Sequence, residues 1–329
     1  MGLNMEVEIG NPAANLGAIV TNVDIDDVLT NTELQNTLYE TYINHGQLLI
    51  LRGCRKLEWD EMQTLIKLFY PVDHNNIEVN LSVFFSTDQV SAATNAWHCD
   101  STFREYPARI SNIQLVDKPE NPRLGNTLWC NTNLAYESLP MAIKEIAHRY
   151  KCLNTAPDAT RYAENQDWVK NVSGSQMSYD PLEDEGVREA WHPIIHRHNI
   201  TGKNHILLNA FHSSIPQNKR ISSILESNIY GAINIPEFQY RHQWELNDIA
   251  IFDNLSTQHY ACSDYFPESR TMNRSMLFSY GEDGKVLDPG PITLPNNDPK
   301  TQKFWGFINK RRNLRQGKLI ESLRKEGLL

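Results

Sequence analysis

Two short segments and one arginine carry residue types that together could bind a metal ion and a carboxylate. The segments are Trp97–Asp100, which reads Trp-His-Cys-Asp, and Asp253–His259, and Arg270 follows the second. Two histidines and one carboxylate that leave coordination positions open are the ligand set of non-haem Fe(II) oxygenases. A guanidinium can hold a carboxylate through two parallel charged hydrogen bonds. The residues therefore predict an iron site with a nearby contact for an anionic co-substrate.

The spacing of His98 and Asp100 suits a single ion. Alternate residues of a β-strand point to the same face, so a strand through this segment would direct both side chains to one side. Such a triplet is common by chance, and a single histidine is more often packed or solvated than a ligand. His259 supplies the distal partner, because it follows an apolar strand pattern at Asp248–Asp253 and is predicted to lie in the polar loop after it.

A second group of histidines is the alternative metal site. Its members are His192, His196, His198 and His205. None of them has a carboxylate two residues away on the same strand face, which the first segment offers. The sequence therefore favours His98, Asp100 and His259 over this group.

Size, charge and cysteine usage limit the class of protein. The 329 residues permit one large domain or two smaller ones, and we favour a single domain over 1–329. A formal charge of -9 gives no general attraction to nucleic acid or to an anionic membrane, so the expected partner is a small-molecule substrate. Five cysteines without C-x-x-C spacing fit a reducing compartment. With no secretory or membrane-spanning pattern in the sequence, we expect a cytoplasmic protein.

Hydrophobic periodicity predicts alternating helices and strands ahead of the first of the two metal segments, which are Trp97–Asp100 and Asp253–His259. Leu34, Leu38 and Tyr42 recur every four positions, and Asn31 can cap the helix they indicate. The predicted elements are a helix over 31–46, a buried strand over 47–52, a helix over 57–69 and a long loop over 70–96.

The rest of the chain predicts short strands with helical insertions. Strands are expected at 109–116, 126–131, 205–209, 248–253 and 274–280, and helices at 134–150 and 221–230. Short strands separated by turn residues are typical of a sandwich or jelly roll, so the predicted fold is mainly β, a double-stranded β-helix. The C-terminal extension 289–329 ends in a basic helical stretch and is expected to pack on the domain or at an interface of a homo-oligomer.

Longer motifs make the chain similar to a known family. It resembles the taurine dioxygenase (TauD/TfdA) family of Fe(II)- and 2-oxoglutarate-dependent oxygenases across most of its length. The strongest matches are Trp97–Phe103, Gly125–Trp129, Ala135–Pro140, His192–Pro193, and Trp244 with Asn247 and Asp248 running on to His259.

The resemblance implies roles for the residues of the site. Iron would be bound by His98, Asp100 and His259. The co-substrate 2-oxoglutarate would chelate the metal, and Arg270 would pair with its distal carboxylate, to which Thr127 would add a hydroxyl donor. Arg274 would approach the C1 end of the co-substrate or an anionic substrate. Tentative substrate contacts are His74, Phe103, Phe211 and Arg274. Because Tyr70 stands where the family has glycine, the match around His74 is imperfect and taurine is not inferred as the substrate.

The implied activity is an oxygenase reaction with O2. It would hydroxylate an unactivated C–H bond of a small organic acid or specialised metabolite and release succinate and CO2. A desaturase or cyclase using the same iron site is the alternative, and a non-catalytic jelly-roll metalloprotein is the third hypothesis. The carboxylate of Asp100 argues against a halogenase, because the halogenases of this superfamily lack it.

Overall fold

The computed structural model describes residues 5–70, 77–86, 95–155, 189–265, 267–279, 291–293 and 321–327, with the backbone alone at 78 and 80–86. Strands predominate and helices are interspersed among them, which confirms the mainly β prediction. His74 lies outside the described residues, as do residues 310–320 of the basic C-terminal stretch.

The described residues before 156 form the following helices and strands. They are β1 (Glu6–Asn11), β2 (Leu16–Thr21), α1 (Ile25–Thr30), α2 (Thr32–Asn44), β3 (Leu48–Leu51), α3 (Trp59–Leu68), β4 (Ile77–Ser86), β5 (Ile110–Asp117), β6 (Thr127–Asn131), α4 (Thr132–Glu137), α5 (Met141–Arg149) and β7 (Lys151–Thr155). Those of the second half are β8 (Glu189–Pro193), β9 (Ile195–Arg197), β10 (Asn204–Ile206), β11 (Ser213–Ser214), α6 (Lys219–Ile233), β12 (Gln239–His242), β13 (Ile249–Asp253), β14 (Thr257–Ala261) and β15 (Arg270–Ser279).

The largest sheet has seven strands in the order β1-β2-β3-β13-β5-β15-β4. Its middle strand β13 pairs antiparallel with both β3 and β5, and all five of its residues are buried. A strand covered on both faces needs apolar side chains on both, which explains the continuous apolar run of β13. Helices α2 and α3 cover one face of the sheet with an apolar stripe each. The sheet therefore holds the end of β13, where the second metal segment begins, in a fixed place.

A three-stranded sheet in the order β12-β6-β14 faces the other side of β13. The core between the two sheets contains Trp129, Tyr240, Trp244 and Phe252. Trp129 is fully buried, and its ring centroid lies 5.6 Å from that of Phe252. Such aromatic burial is among the largest contributions that single side chains make to a core. This core fixes β14 relative to β13.

Several predicted elements are confirmed and others differ from the prediction. The helix α2 begins after Asn31, whose Oδ1 accepts hydrogen bonds from the backbone of Glu33 and Leu34 at 3.0 and 3.2 Å. The helix expected over 134–150 is divided at Pro140 into α4 and α5. The loop expected over 70–96 contains the ten-residue strand β4, which pairs along the whole of β15. That pairing partner lies near the other end of the chain, so local composition gave no sign of it.

The last described residues pack against helix α6. Leu323 is fully buried in the core that also contains the apolar face of α6, and Arg220 donates a hydrogen bond to Ser322 at 3.0 Å. None of the helices in the described ranges is long and apolar enough to cross a membrane.

A buried ion-pair cluster holds the start of β13. The carboxylate of Asp248 is fully buried and accepts hydrogen bonds from Arg52 at 2.8 Å and from His242 at 3.0 Å. Replacing Asp248 with alanine leaves the guanidinium without its buried partner, so we expect a loss of about 3–5 kcal/mol in the free energy of unfolding. Urea denaturation at neutral pH measures this loss.

The matched control is Glu245, which is the second partner of Arg52 at 3.0 Å but has a side chain 63% exposed. Glu245→Gln should cost less than about 1 kcal/mol, because exposed ion pairs contribute little. Equal losses for the two variants would contradict a special role for the buried carboxylate.

Candidate functional site

The two metal segments are joined directly through their backbones. His98 N donates to His259 O at 3.0 Å, and His259 N donates to His98 O at 2.9 Å. This is an isolated β-bridge, so the prediction of a strand through Trp97–Asp100 is wrong. Asp100 already lies in a turn, and its backbone is held by the side chain of Asn254. The side chains of His98 and Asp100 are brought together by the bridge and the turn and not by strand alternation.

The second histidine is on a strand and not in the predicted loop. His259 is the central residue of β14, which pairs with β6 so that His259 lies opposite Trp129. The polar stretch 254–256 forms a tight turn between β13 and β14. A rigid sheet therefore presents this side chain, which is how precise ligand geometry is maintained.

Three side chains converge at this junction: His98, Asp100 and His259 are buried and offer one possible ligand atom each, all within 4.8 Å of one another. Oδ1 of Asp100 lies 3.7 Å from Nε2 of His98 and 3.8 Å from Nε2 of His259. Two atoms that each lie about 2.1 Å from one ion can be no more than about 4.2 Å apart. Both distances from Asp100 are below this limit, so each imidazole can share a transition-metal ion with this carboxylate.

The histidines are in the form that binds metals. Nδ1 of His98 lies 2.8 Å from the carbonyl oxygen of Ala96. A carbonyl only accepts, so Nδ1 carries a proton and Nε2 is the ring nitrogen that faces Asp100. Burial, with the neighbouring His98, lowers the pKa of His259 to about 3, so this imidazole is neutral near pH 7. Both rings can thus donate a lone pair to a cation.

The carboxylate of Asp100 divides its two oxygens between different partners. Oδ1 faces the histidines, whereas Oδ2 accepts a hydrogen bond from Nη1 of Arg274 at 3.2 Å. Burial alone would raise the pKa of Asp100, but Arg274 and the histidines lower it to about 2. The group is therefore ionised near neutral pH, and one oxygen remains for a cation.

Arg270 is a buried cation at the start of β15. In the described part of the chain its guanidinium forms no salt bridge, Nη1 donates to the carbonyl oxygen of Gly125, and Nε has no partner. Burial lowers the pKa of Arg270. Gly125 has φ +70°, and an added Cβ would lie 3.1 Å from Tyr265 and 3.3 Å from Arg270, so a side chain there would strain the backbone and crowd both neighbours. A desolvated guanidinium whose Nε–H is unused is suited to an anionic ligand.

The hydroxyl of Thr127 is oriented by a neighbouring indole. Nε1 of Trp244 donates to Oγ1 of Thr127 at 3.0 Å, and both residues are buried. Indole is only a donor, so the threonine oxygen is the acceptor in this contact and its own proton remains available. Thr127 lies two residues after Gly125, the carbonyl partner of Arg270. A carboxylate bound by Arg270 could thus receive a second hydrogen bond here.

We expect Trp244→Phe to weaken 2-oxoglutarate binding roughly 3- to 10-fold, because one oriented hydrogen bond contributes about 0.5–1.5 kcal/mol. Anaerobic titration of the iron-loaded protein with 2-oxoglutarate measures the change. Thr127→Val should have a similar effect, and the double variant should lose little more than either single one. Fully additive losses would contradict an effect of Trp244 through Thr127.

Aromatic rings lie against the metal segments. The ring of Phe211 is 5.4 Å from that of His98, and the ring of His212 is 4.6 Å from Phe211 and 5.5 Å from Phe103. Of the predicted substrate contacts, Phe103 and Phe211 are therefore close to the site, and His74 lies outside the described residues. The sequence also predicts His212, directly after Phe211, as a lining residue, and its contacts with both phenylalanine rings agree with that prediction.

The second group of histidines does not converge on one point. His192 bonds to the carbonyl of Arg104, His198 to Asp253, and His205 to the carbonyl of Ser256. Among the described residues, the only cluster with metal-ligand spacing is the one around Asp100.

Comparisons with known proteins cover the same region. The family described as taurine catabolism dioxygenase TauD, TfdA matches residues 9–276. An alkylsulfatase of Acinetobacter baylyi is 28% identical over 305 residues, which are 89% of this chain and 91% of that protein. An alpha-ketoglutarate-dependent sulfate ester dioxygenase of Pseudomonas putida is 25% identical over 295 residues, 86% of this chain and 94% of that protein.

A solved structure has a similar fold. The crystal structure of a taurine dioxygenase from Burkholderia xenovorans aligns with a TM-score of 0.63 at 20% identity, and the alignment covers 85% of this chain and 94% of that one. The residues matched by the family include every residue of the candidate site.

Proposed function

The chain belongs to the taurine catabolism dioxygenase TauD, TfdA family, and from this premise we propose that it binds Fe(II) through His98, Asp100 and His259 and oxidises a small anionic substrate. Membership makes the protein an Fe(II)- and 2-oxoglutarate-dependent oxygenase that uses O2. The convergence of two imidazole nitrogens and one carboxylate oxygen within 4.8 Å carries the proposal for the metal site.

The donor set fits the metal. Two imidazoles and one carboxylate form the facial triad of non-haem Fe(II) oxygenases, which leaves positions for co-substrate and O2. Bound iron and 2-oxoglutarate would supply the activation of O2 that oxidises a C–H bond, with release of succinate and CO2. The three possible ligand atoms are on buried side chains and lie close together.

Positive side chains divide the recognition of anions. Arg270 would pair with the distal carboxylate of 2-oxoglutarate, and the oriented hydroxyl of Thr127 would donate to the same group. Arg274 neutralises Asp100 and lies on the metal side of the site, where it would approach the C1 carboxylate of 2-oxoglutarate or the acidic group of a substrate. The protein thus positions charged reactants and keeps water away from them.

The proposed substrate is a small organic acid with an oxidisable C–H bond. Phe103 and Phe211 offer an apolar surface beside the metal segments, and Arg274 supplies positive charge. The two relatives described above are named for alkyl sulfates and sulfate esters, so sulfate monoesters are the first candidates. Hydroxylation of the carbon that bears the sulfate oxygen would give an unstable product, which separates into an aldehyde and sulfate.

A succinate-release assay tests this proposal. The aerobic reaction would contain the protein, Fe(II), 2-oxoglutarate and one of three chain-matched compounds: an alkyl sulfate, an alkyl carboxylate or an alcohol. We expect the anionic compounds to stimulate succinate formation and the alcohol to do so far less. For the carboxylate, product mass separates hydroxylation, which adds an oxygen, from desaturation or cyclisation, which remove two hydrogens. For the alkyl sulfate, release of an aldehyde and sulfate reports hydroxylation of the carbon that bears the sulfate oxygen. Stimulation by the alcohol alone would contradict an anionic substrate.

For the architecture, we propose one oxygenase domain over 1–329 with a double-stranded β-helix at its centre. The burial of Leu323 beside α6 supports packing of the C-terminal extension on this domain.

A further inference from the structure

A single amide side chain accounts for both backbone polar groups of a metal-site residue. Asn254 lies in the turn between β13 and β14 and has no exposed surface. Its Oδ1 accepts a hydrogen bond from Asp100 N at 2.7 Å, and its Nδ2 donates to Asp100 O at 2.9 Å. Nδ2 also donates to the carbonyl of Ala108 at 2.8 Å. All three of these hydrogen bonds therefore join the amide of Asn254 to the backbone of Asp100 and Ala108.

We infer that Asn254 is a positioning residue, which sets the location of Asp100 relative to His259. The inference rests on the proposed metal site. Asn254 and His259 belong to the same turn-and-strand unit, and Asp100 lies in a distant part of the chain. One short turn thus presents one ligand through its own strand and holds the other through a side chain. Groups that orient metal ligands in this way typically change metal affinity 10- to 100-fold when removed.

The turn is itself fixed by the residue before Asn254. Oδ1 of Asp253 accepts hydrogen bonds from the backbone of Leu255 and Ser256, both at 2.8 Å. Oδ2 of Asp253 accepts from Nε2 of His198 at 2.9 Å, and Oγ1 of Thr257 donates to the Asp253 carbonyl at 2.7 Å. Every one of these contacts is buried, so the turn has little freedom to move Asn254 away from Asp100.

The second group of histidines gains a role from this arrangement. Nδ1 of His198 accepts from the backbone of Thr201 at 3.1 Å, so its proton is on Nε2 and is donated to Asp253. Nδ1 of His205 lies 3.0 Å from the carbonyl of Ser256 and therefore donates to it. Two histidines that the sequence offered as metal ligands thus hold the turn that carries Asn254.

The test is anaerobic Fe(II) titration of Asn254→Ala, followed by addition of 2-oxoglutarate to develop the weak visible metal-to-ligand charge-transfer band. We expect Fe(II) affinity to fall roughly 10- to 100-fold and the band to shift or weaken. The matched control is Gln114→Ala. Gln114 is also a fully buried amide: its Oε1 accepts from the backbone N–H of Leu57, and its Nε2 donates to the carbonyls of Arg55 and Asn247.

Gln114→Ala should lower the melting temperature without changing Fe(II) affinity or the band, because its partners are outside the metal segments. This comparison separates positioning from a general loss of stability. Asn254→Asp is a size-matched second variant: it keeps an acceptor for Asp100 N but places oxygen against two carbonyls. It carries the test if the alanine variant does not fold.

The outcomes are distinct. Folded Asn254 variants with the parent's affinity and band would overturn the inference while leaving the metal site intact. A parent protein that binds no Fe(II) and 2-oxoglutarate would instead contradict the proposed function. Equal losses of affinity in the Asn254 and Gln114 variants would show that Asn254 has only a structural role.

Discussion

Replacing Asp100 with alanine is expected to abolish turnover and to weaken Fe(II) binding by more than about 100-fold, since even residues that only orient a ligand are worth 10- to 100-fold in metal affinity. The substitution removes the only carboxylate of the converging set and leaves Arg274 without this partner. A positive guanidinium beside two imidazoles repels a cation, so the loss exceeds that of one neutral ligand. Isothermal titration with Fe(II) under anaerobic conditions measures the affinity.

Asp117→Ala is the control, because Asp117 is an exposed carboxylate at the end of β5, away from the converging ligands. Its Fe(II) affinity and succinate formation should equal those of the parent. Retention of tight, stoichiometric Fe(II) binding in Asp100→Ala would reject the metal site as assigned.

Replacing Arg270 with leucine is expected to raise the dissociation constant for 2-oxoglutarate by roughly 30-fold to 4,000-fold, which corresponds to the 2–5 kcal/mol lost when one partner of a buried charge pair is truncated. Arg270 is 6% exposed, and its Nε has no partner. The anionic co-substrate would supply the missing acceptors, so removal of the guanidinium removes a pre-formed contact. Fe(II) affinity without 2-oxoglutarate should not change, because Arg270 is not among the converging ligands.

Two variants make the result specific. Arg270→Lys keeps the charge but loses the planar pair of donors, so it should bind 2-oxoglutarate with intermediate affinity. Arg241→Leu removes a nearby arginine whose side chain is 52% exposed and pairs with Asp264, and it should behave like the parent. If Arg241→Leu lost as much affinity as Arg270→Leu, general electrostatic attraction would explain the binding and a specific contact would not.

The residue types at the candidate site could be predicted from the sequence, whereas the contacts that bring these residues together could not. His98, Asp100 and His259 stand out because their side chains are suited to one kind of ion and because longer motifs surround them. The same holds for Arg270, whose guanidinium is suited to a carboxylate and which follows His259 by eleven residues. Side-chain chemistry is a property of each residue, so it can be recognised without knowledge of the fold. Helix α2 could also be predicted, because its periodicity and its Asn31 cap depend only on neighbouring residues.

The features that could not be predicted from the sequence depend on contacts between distant segments of the chain. The bridge between His98 and His259, and the strand β4 along β15, join residues from opposite parts of the chain. Asn254 is one more polar residue in a turn until its contacts with Asp100 are known. Trp244 likewise reads as a core aromatic, and only its contact with Thr127 gives it a place in the site.

The reciprocal hydrogen bonds between His98 and His259 also bear on how the protein persists over time. An unfolded chain has no metal site, because its ligands are then far apart, so iron binds the native state alone. A ligand with that selectivity stabilises the native state by mass action, by about 2.7 kcal/mol at a free concentration one hundred times its dissociation constant. Chains made under iron limitation would unfold more often and be more exposed to proteolysis, so the supply of the metal would control the abundance of the enzyme as well as its activity.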